Sequence, residues 1–226
     1  MAVPSPSGAG APLRFRKAES GQELADYARL FAGRPGPRMI GAAWAVTAAL
    51  RLALGRFRRR DLAIAAGMVA AQPFTEWVIH VAILHSRPRR VAGRTVDLAL
   101  ARHHRDHHAD PKDIDRALIP VPTVVGAIGG TAALVGALGR DRHGVTAALT
   151  GFSLLLGYEW THFLMHSAYR PRTAFYRSRW RAHRLHHYKN ERYWFGITSG
   201  FGDQVLRTNP DRAGVETSPT ARNLAA

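Results

Sequence analysis

The stretch "ALIPVPTVVGAIGGTAALVGALG", Ala117–Gly139, runs for 23 residues without a charge. It is apolar all round, rich in glycine and alanine, and lacks the polar face that a surface helix turns to water. About 20 such residues suffice to span a bilayer. Three further apolar stretches surround it. Met39–Leu54 is short and contains Arg51; Leu62–Leu84 is long enough to span but carries Glu76 and His80 near its end; Val145–Met165 is uncharged until Glu159. Together they predict an all-α integral membrane protein with about four transmembrane helices in two hairpins, "GRFRRRD" joining the first two and "RDRH" (Arg140–His143) the last two. A soluble bundle with buried core helices is the alternative.

The charge distribution orients these spans. The chain has 226 residues and a formal net charge of +16, with 29 Arg and 3 Lys. Such a balance suits nucleic acid binding or a membrane protein with a basic cytoplasmic face. The basic residues are segmental, at Arg14–Arg38, Arg56–Arg60, Arg87–Arg116 and Arg170–Arg192, with uncharged stretches between them, which favours the membrane and gives no separate ground for nucleic acid. In the two-hairpin arrangement the N-terminus, the loop Ser86–Arg116 and the tail after Ser167 share one side and hold 25 of the 32 basic residues, so that side is read as cytoplasmic. Arg56, Arg58, Arg59 and Arg60 would then face the other way.

The remaining organisation is simple. Residues 1–12, "MAVPSPSGAGAP", read as a disordered tail and not as a signal peptide. Residues 13–38 form a cytoplasmic N-terminal segment, with a short amphipathic helix in "GQELADYARLFAG" that "RPGP" breaks. The membrane domain occupies 39–210, and 211–226 form a C-terminal tail. No cysteine is present, so disulfides, iron–sulfur clusters and thiolate-ligated haem are excluded, and any metal must be held by imidazole or oxygen.

The histidines have a geometry. Eleven of the 12 fall in four clusters, leaving His143 alone. His162 and His166 are spaced i, i+4 and lie on one helix face. His104, His107 and His108 follow i, i+3, i+4, and His183, His186 and His187 repeat that spacing. His80 and His85 are five apart, which on a regular helix points them in different directions, so one must sit beyond the helix end or at a bulge. The two pairs end apolar stretches and the two triplets lie on the cytoplasmic side, so all four clusters converge at one membrane surface in a helical cap. Without His103 they offer ten imidazoles, more than one metal uses, which suggests two metals. Singly, such residues are as well read as interfacial or solvated histidines. Ionisable groups inside apolar segments are costly and tend to be functional, which singles out His80 and His162. Glu76 lies one turn before His80 and Glu159 one turn before His162, where a carboxylate can fix an imidazole tautomer or simply make a structural hydrogen bond.

On these residues the chain resembles the fatty acid hydroxylase / sterol desaturase superfamily of membrane, histidine-rich di-metal oxygenases, and within it the fatty acid 2-hydroxylase branch. The resemblance is carried by "EWVIHVAILH" (Glu76–His85), "HHRDHHADPKDIDRALIPVP" (His103–Pro122), "GYEWTHFLMHS" (Gly157–Ser167) and "AHRLHHYKNERYWFGITSGFGDQVLRT" (Ala182–Thr208), and covers about residues 40–210. It implies a diiron site ligated by His80, His85, His104, His107, His108, His162, His166, His183, His186 and His187, with Glu76, Glu159 and Asp203 behind the ligands. It further implies dioxygen as oxidant and hydroxylation of a lipid C–H bond. Zinc suits the ligands but cannot cycle redox states. Ser167 departs from the paired histidines that often end the third motif. No cytochrome b5-like domain is fused, so a separate electron-donor protein is expected. Competing readings are a desaturase or a sterol or carotenoid oxygenase built on the same site, and a non-catalytic membrane metal-binding or transport protein. Transport would place ligands mid-membrane, yet Ala117–Gly139 has none.

Overall fold

The computed structural model describes residues 23–137 and 141–224. The expected tail 1–12 and the start of the N-terminal segment lie outside the described residues, as do Leu138–Arg140. The described residues are mostly helical, in the order α1 (Leu24–Ala32), α2 (Pro35–Ala53), α3 (Arg59–Val78), a π-helical segment (Ile79–Leu84), strands β1 (Arg89–Val91) and β2 (Arg94–Val96), α4 (Ala99–Ala109), α5 (Ile114–Ala117), α6 (Val121–Ala137), α7 (Arg142–His166), α8 (Ala174–Tyr188) and α9 (Phe201–Val205). The helical expectation holds for most of the described residues, and the exception is a short antiparallel hairpin in which β1 and β2 pair with Val91 opposite Arg94. Ala92 and Gly93 both have positive φ, 47° and 78°, the conformation of a tight two-residue turn that matches strand twist.

"RPGP" separates two helices as expected, but it also begins the second of them. Pro35 stands at the first turn of α2, where its missing N–H costs nothing. α7 is the axis of the fold. Its 25 residues, about 37 Å of helix, bury eleven side chains. Tyr27 of α1, Ile114 of α5 and Leu118 pack on Phe163 and Leu164 at one end of α7. Ile40 of α2 and Val124 of α6 pack on Ala148 and Phe152 further along.

α2 and α3 each pack chiefly along α7. The first expected hairpin is therefore split, with α7 between its arms. The reason is a buried polar knot. Arg51 and Asp61 are both fully buried and bridge at 2.8 Å, and the guanidinium also reaches Thr146 of α7 at 2.8 Å and the Gly55 carbonyl at 2.8 Å. Thr146 donates to Asp61 at 3.0 Å. A buried ion pair survives only when its remaining donors and acceptors are satisfied, and here α7 supplies the third partner.

Among the described residues two helices are long and apolar enough to cross a membrane: α3 with its π extension, Arg59–Leu84, and Ile114–Ala137. α7 is less apolar, carrying Thr146, Thr150, Glu159 and His162, all of them buried in the fold. A cavity of about 880 Å³ forms an apolar groove among α2, α6 and α7, lined by residues such as Met39, Leu50, Ile128, Val135 and Phe152. It lies toward the Arg51–Asp61 end, about 15 Å along α7 from His162 at 1.5 Å per residue.

The knot makes a stability prediction. Asp61→Ala leaves Arg51 buried without its counter-ion and should lower the unfolding midpoint of the detergent-solubilised protein by several degrees, and Arg51→Leu combined with Asp61→Leu should recover part of that loss. Equal midpoints for Asp61→Ala and the parent protein would show that the pair does not hold the three helices.

Candidate metal centre

The four histidine clusters meet at one end of α7. Of the two spaced five apart, His80 lies in the π-helical segment and His85 directly after its end, where the His85 N–H donates to the His80 carbonyl at 3.0 Å. This i to i+5 bond is the bulge that the spacing allowed; it brings the two rings edge to face with centroids 4.9 Å apart. α4 and α8 carry the triplets, and the last turn of α7 carries His162 and His166.

The ten side chains form two groups of five. His80, His85, His104, His108 and His186 make one, and His107, His162, His166, His183 and His187 the other; within each, one nitrogen per ring lies within 4.8 Å of all the others. Each triplet is divided. The i, i+4 members of α4, His104 and His108, join the first group while His107 joins the second. The i, i+4 members of α8, His183 and His187, join the second while His186 joins the first.

The nitrogens that converge are chiefly Nε2 atoms. His80 to His104, His104 to His108 and His108 to His186 are each 3.2 Å apart. In the second group His107 to His166 and His162 to His183 are 3.1 Å, and His183 to His187 is 3.0 Å. Imidazole nitrogens sharing one ion at about 2.0–2.1 Å stand about 3.0–3.4 Å from each other. Most spacings are those of a shared coordination sphere, with His166 to His183 closer at 2.6 Å, and the donor set, nitrogen only, suits iron, zinc, copper or nickel.

The outer nitrogens explain the orientation. His80 Nδ1 donates to the Phe195 carbonyl at 2.8 Å, His186 Nδ1 to Tyr193 at 2.8 Å, His108 Nδ1 to Ala221 at 2.8 Å and His166 Nδ1 to Pro111 at 2.7 Å. A carbonyl only accepts, so in these four rings the proton sits on Nδ1 and the Nε2 lone pair points inward, the tautomer a metal requires. On α4 and α8, burial and the repulsion of neighbouring rings hold His104, His107, His183, His186 and His187 well below the ordinary imidazole pKa, and burial brings His108 down to about 3. These rings are neutral and ready to ligate at physiological pH.

The carboxylates expected directly behind the ligands act one step further out. Glu76 accepts from the backbone N–H of Ile197 at 3.3 Å and of Thr198 at 3.1 Å, and its other acceptor contacts include the Thr198 hydroxyl and Gln72. Glu159 accepts from the Ile119 N–H at 3.2 Å. Neither takes the N–H of His80 or His162 in the way the helical spacing suggested; both make the structural hydrogen bonds that were the other possibility. Asp203 accepts from the N–H groups of Phe195 and Gly196 at 3.0 and 2.7 Å and from the Thr208 hydroxyl at 2.6 Å. Glu76 and Asp203 thus fix the segment Phe195–Thr198, and that segment presents a carbonyl to His80. The Phe195 ring also packs against His80, His85 and His186. His103 stays outside both groups, with Nε2 3.1 Å from the Leu118 carbonyl. A smaller cavity of about 230 Å³ reaches the second group at His166, His183 and His187, with Lys112 and Arg184 on its lining.

The site residues missed in the sequence are backbone carbonyls: Pro111, Tyr193, Phe195 and Ala221. Such a role leaves no mark on residue type. Ala221 is the furthest from expectation, since it belongs to the C-terminal residues and is buried beside the site.

The family model for the fatty acid hydroxylases matches residues 65–208, well over half of the chain, and the chain belongs to that family. All ten grouped histidines lie within the match. Membership makes this a membrane-associated oxidoreductase family acting on lipids and generally dependent on iron. Curated proteins and solved structures give no significant match.

Gly196 tests the carbonyl cradle. A Cβ there would collide with the Ser199 carbonyl and approach Asp203 at 3.0 Å. Gly196→Ala should displace the Phe195 carbonyl from His80 and weaken metal binding by about 10–100-fold, the usual cost of disturbing a ligand's outer partner, read by metal titration of the purified protein. Unchanged affinity would remove the segment from the site.

Proposed function

We propose that the chain is a membrane diiron oxygenase that hydroxylates a C–H bond of a long-chain lipid, carbon 2 of a fatty acyl chain above all. The observation that carries this reading is the pair of five-imidazole groups with inward-facing Nε2 atoms. Iron fits the nitrogen-only donor set and, when bound, supplies the redox change that activates O2, which zinc cannot. His80, His85, His104, His108 and His186 would hold one ion and His107, His162, His166, His183 and His187 the other. One oxygen atom enters the C–H bond and the other leaves as water, with two electrons and two protons drawn from a separate donor protein.

The chain's own contribution is orientation and exclusion. Carbonyls of Pro111, Tyr193, Phe195 and Ala221 hold four rings in one tautomer, and the Phe195 ring closes the first group against water. The cavity beside His166, His183 and His187 opens the second group to the surface, with Lys112 and Arg184 available to an anionic head group or an acidic electron donor.

In the same reading α2, α3, α6 and α7 embed in the bilayer and α4 and α8 form a cytoplasmic cap. Large apolar side chains face outward on three of these helices, among them Val46, Leu50, Leu62, Val69, Val125 and Leu134. A water-soluble bundle rarely exposes so much apolar surface. The absence of native cysteine makes the topology directly measurable. Cysteines replacing Lys112 and Arg192 should react with an impermeant maleimide only from the cytoplasmic side, and one replacing Arg59 only from the other. Labelling of Lys112→Cys and Arg192→Cys from opposite sides would end the cap.

Purified protein should contain about two metal ions per chain, following from two ligand groups. Cells expressing it under 18-oxygen gas, with iron and a competent donor, should accumulate labelled 2-hydroxy acyl lipid. His186→Ala should lower that yield at least about 100-fold while the protein still inserts and folds. New double bonds without labelled hydroxyl would identify a desaturase instead, and full activity in His186→Ala would remove this residue from the ligand set.

A further inference from the structure

Ten consecutive residues, Arg87–Val96, are exposed in this fold. They comprise the β1–β2 hairpin and the two residues before it, and the metal centre makes no use of them. Their composition is unusual: four arginines, two exposed valines and no carboxylate. The pairing register sorts them by face. Arg89 lies opposite Val96, Val91 opposite Arg94, and Arg90 opposite Thr95. Directly opposed residues share a face, and so do residues two apart along a strand. One face therefore carries Arg89, Val91, Arg94 and Val96 in a checkerboard, with Val91 56% and Val96 48% exposed.

The hairpin is held at a definite height. Only His85–Pro88 separate it from the last π-helical residue of the segment Arg59–Leu84, a reach of at most about 18 Å from Leu84 to Arg89. Its base is clamped to α4: Arg105 donates to the Ser86 carbonyl at 3.0 Å and to both oxygens of Asp97 at 2.7 and 2.6 Å. The carboxylate adjoining the hairpin is thus taken by Arg105, with Arg102 at 3.6 Å, leaving the charge of the hairpin arginines directed outward among the described residues.

We propose that this hairpin is a membrane-surface anchor that binds the anionic phospholipid head groups of the leaflet on the metal-centre side. Val91 and Val96 enter the head-group layer, and Arg89 and Arg94 beside them keep their stems in it while the guanidiniums pair with phosphates. Arg87 and Arg90 add charge within reach of the surface. Clustered basic residues just past a membrane span are drawn to anionic lipid, an attraction that decays over a Debye length of about 8 Å at physiological salt. Through Arg105 the anchor would set the height of α4, which carries ligands of both histidine groups. The inference rests on the membrane reading of Arg59–Leu84.

The test uses the full chain in lipid nanodiscs of phosphatidylcholine, with or without phosphatidylglycerol. A nitroxide on Val91→Cys reports collisions with O2, which concentrates in the bilayer, and with a water-soluble nickel chelate. A second label on Val69→Cys, an exposed position in the middle of α3, reports the span. With phosphatidylglycerol the Val91 label should favour O2 over nickel. That preference should fall in high salt, in discs of phosphatidylcholine alone, and in the R89Q/R90Q/R94Q variant, while the Val69 label stays in hydrocarbon throughout. A Val91 label equally open to nickel with and without phosphatidylglycerol, with Val69 still in hydrocarbon, overturns the anchor alone and leaves the hairpin to a soluble partner. A Val69 label in water overturns the membrane reading, and the anchor with it.

Discussion

A buried imidazole makes two demands at once, and the arrangement of this fold follows from gathering the inner nitrogens of ten rings and supplying backbone acceptors to the outer nitrogens of four. The inner nitrogens crowd together at about 3 Å, where protonating any one sets it against its neighbours. The outer N–H groups need acceptors, because an unpaired buried donor costs its full desolvation. Here four acceptors are carbonyls outside the helices that carry the rings, at Pro111, Tyr193, Phe195 and Ala221. The connections around α4 and α8 are therefore parts of the centre, and the two buried carboxylates Glu76 and Asp203 hold the one that serves His80.

The division of each histidine triplet is a second consequence of helix geometry. Adjacent residues on a helix point about 100° apart, so His107 and His108 cannot serve one point, and neither can His186 and His187. Residues four apart can. Each triplet must then give two rings to one group and one to the other, and the two triplets do so in opposite senses. α4 and α8 consequently hold both groups in common, and a shift of either helix would disturb both at once.

Much of this was legible in the sequence because it lives in side chains with a period. The helical spacing of the triplets and of His162 and His166 placed them on faces, and the five-residue spacing of His80 and His85 required the irregularity that appears as a π-helical segment. Three features were hidden, each for a physical reason. Backbone acceptors have no residue signature. Glu76 and Glu159 have the spacing of carboxylates behind imidazoles, but nearby backbone N–H groups, buried and in need of acceptors, claim them instead. The β-hairpin turns at Ala92–Gly93, where alanine in a left-handed conformation replaces the asparagine or aspartate that usually marks such a turn. The place of α7 between α2 and α3 was also out of reach, since connection lengths do not reveal what inserts between two arms; Arg51 read as a blemish in a short apolar stretch, whereas it is what ties those arms to α7.

That buried knot bears on the metal centre although it sits at the far end of the bundle. α3 and α7 each carry a histidine pair at one end, and at the other they are joined by Asp61 and Thr146 at 3.0 Å. The run from Asp61 to His80 is about 28 Å of helix and that from Thr146 to His162 about 24 Å. Two rods whose lengths differ by less than one turn, pinned side by side at one end, bring their far ends to within about 5 Å of the same height. The pair on α3 and the pair on α7 can then face α4 and α8 at one level, one beneath each group. Apolar packing along α7 alone would tolerate sliding by a turn, because one small or branched apolar side chain replaces another with little loss. A guanidinium with fixed donors to Asp61, Thr146 and Gly55 tolerates no such slip. The polar contact furthest from the chemistry is in this sense what sets the axial register of the residues that perform it.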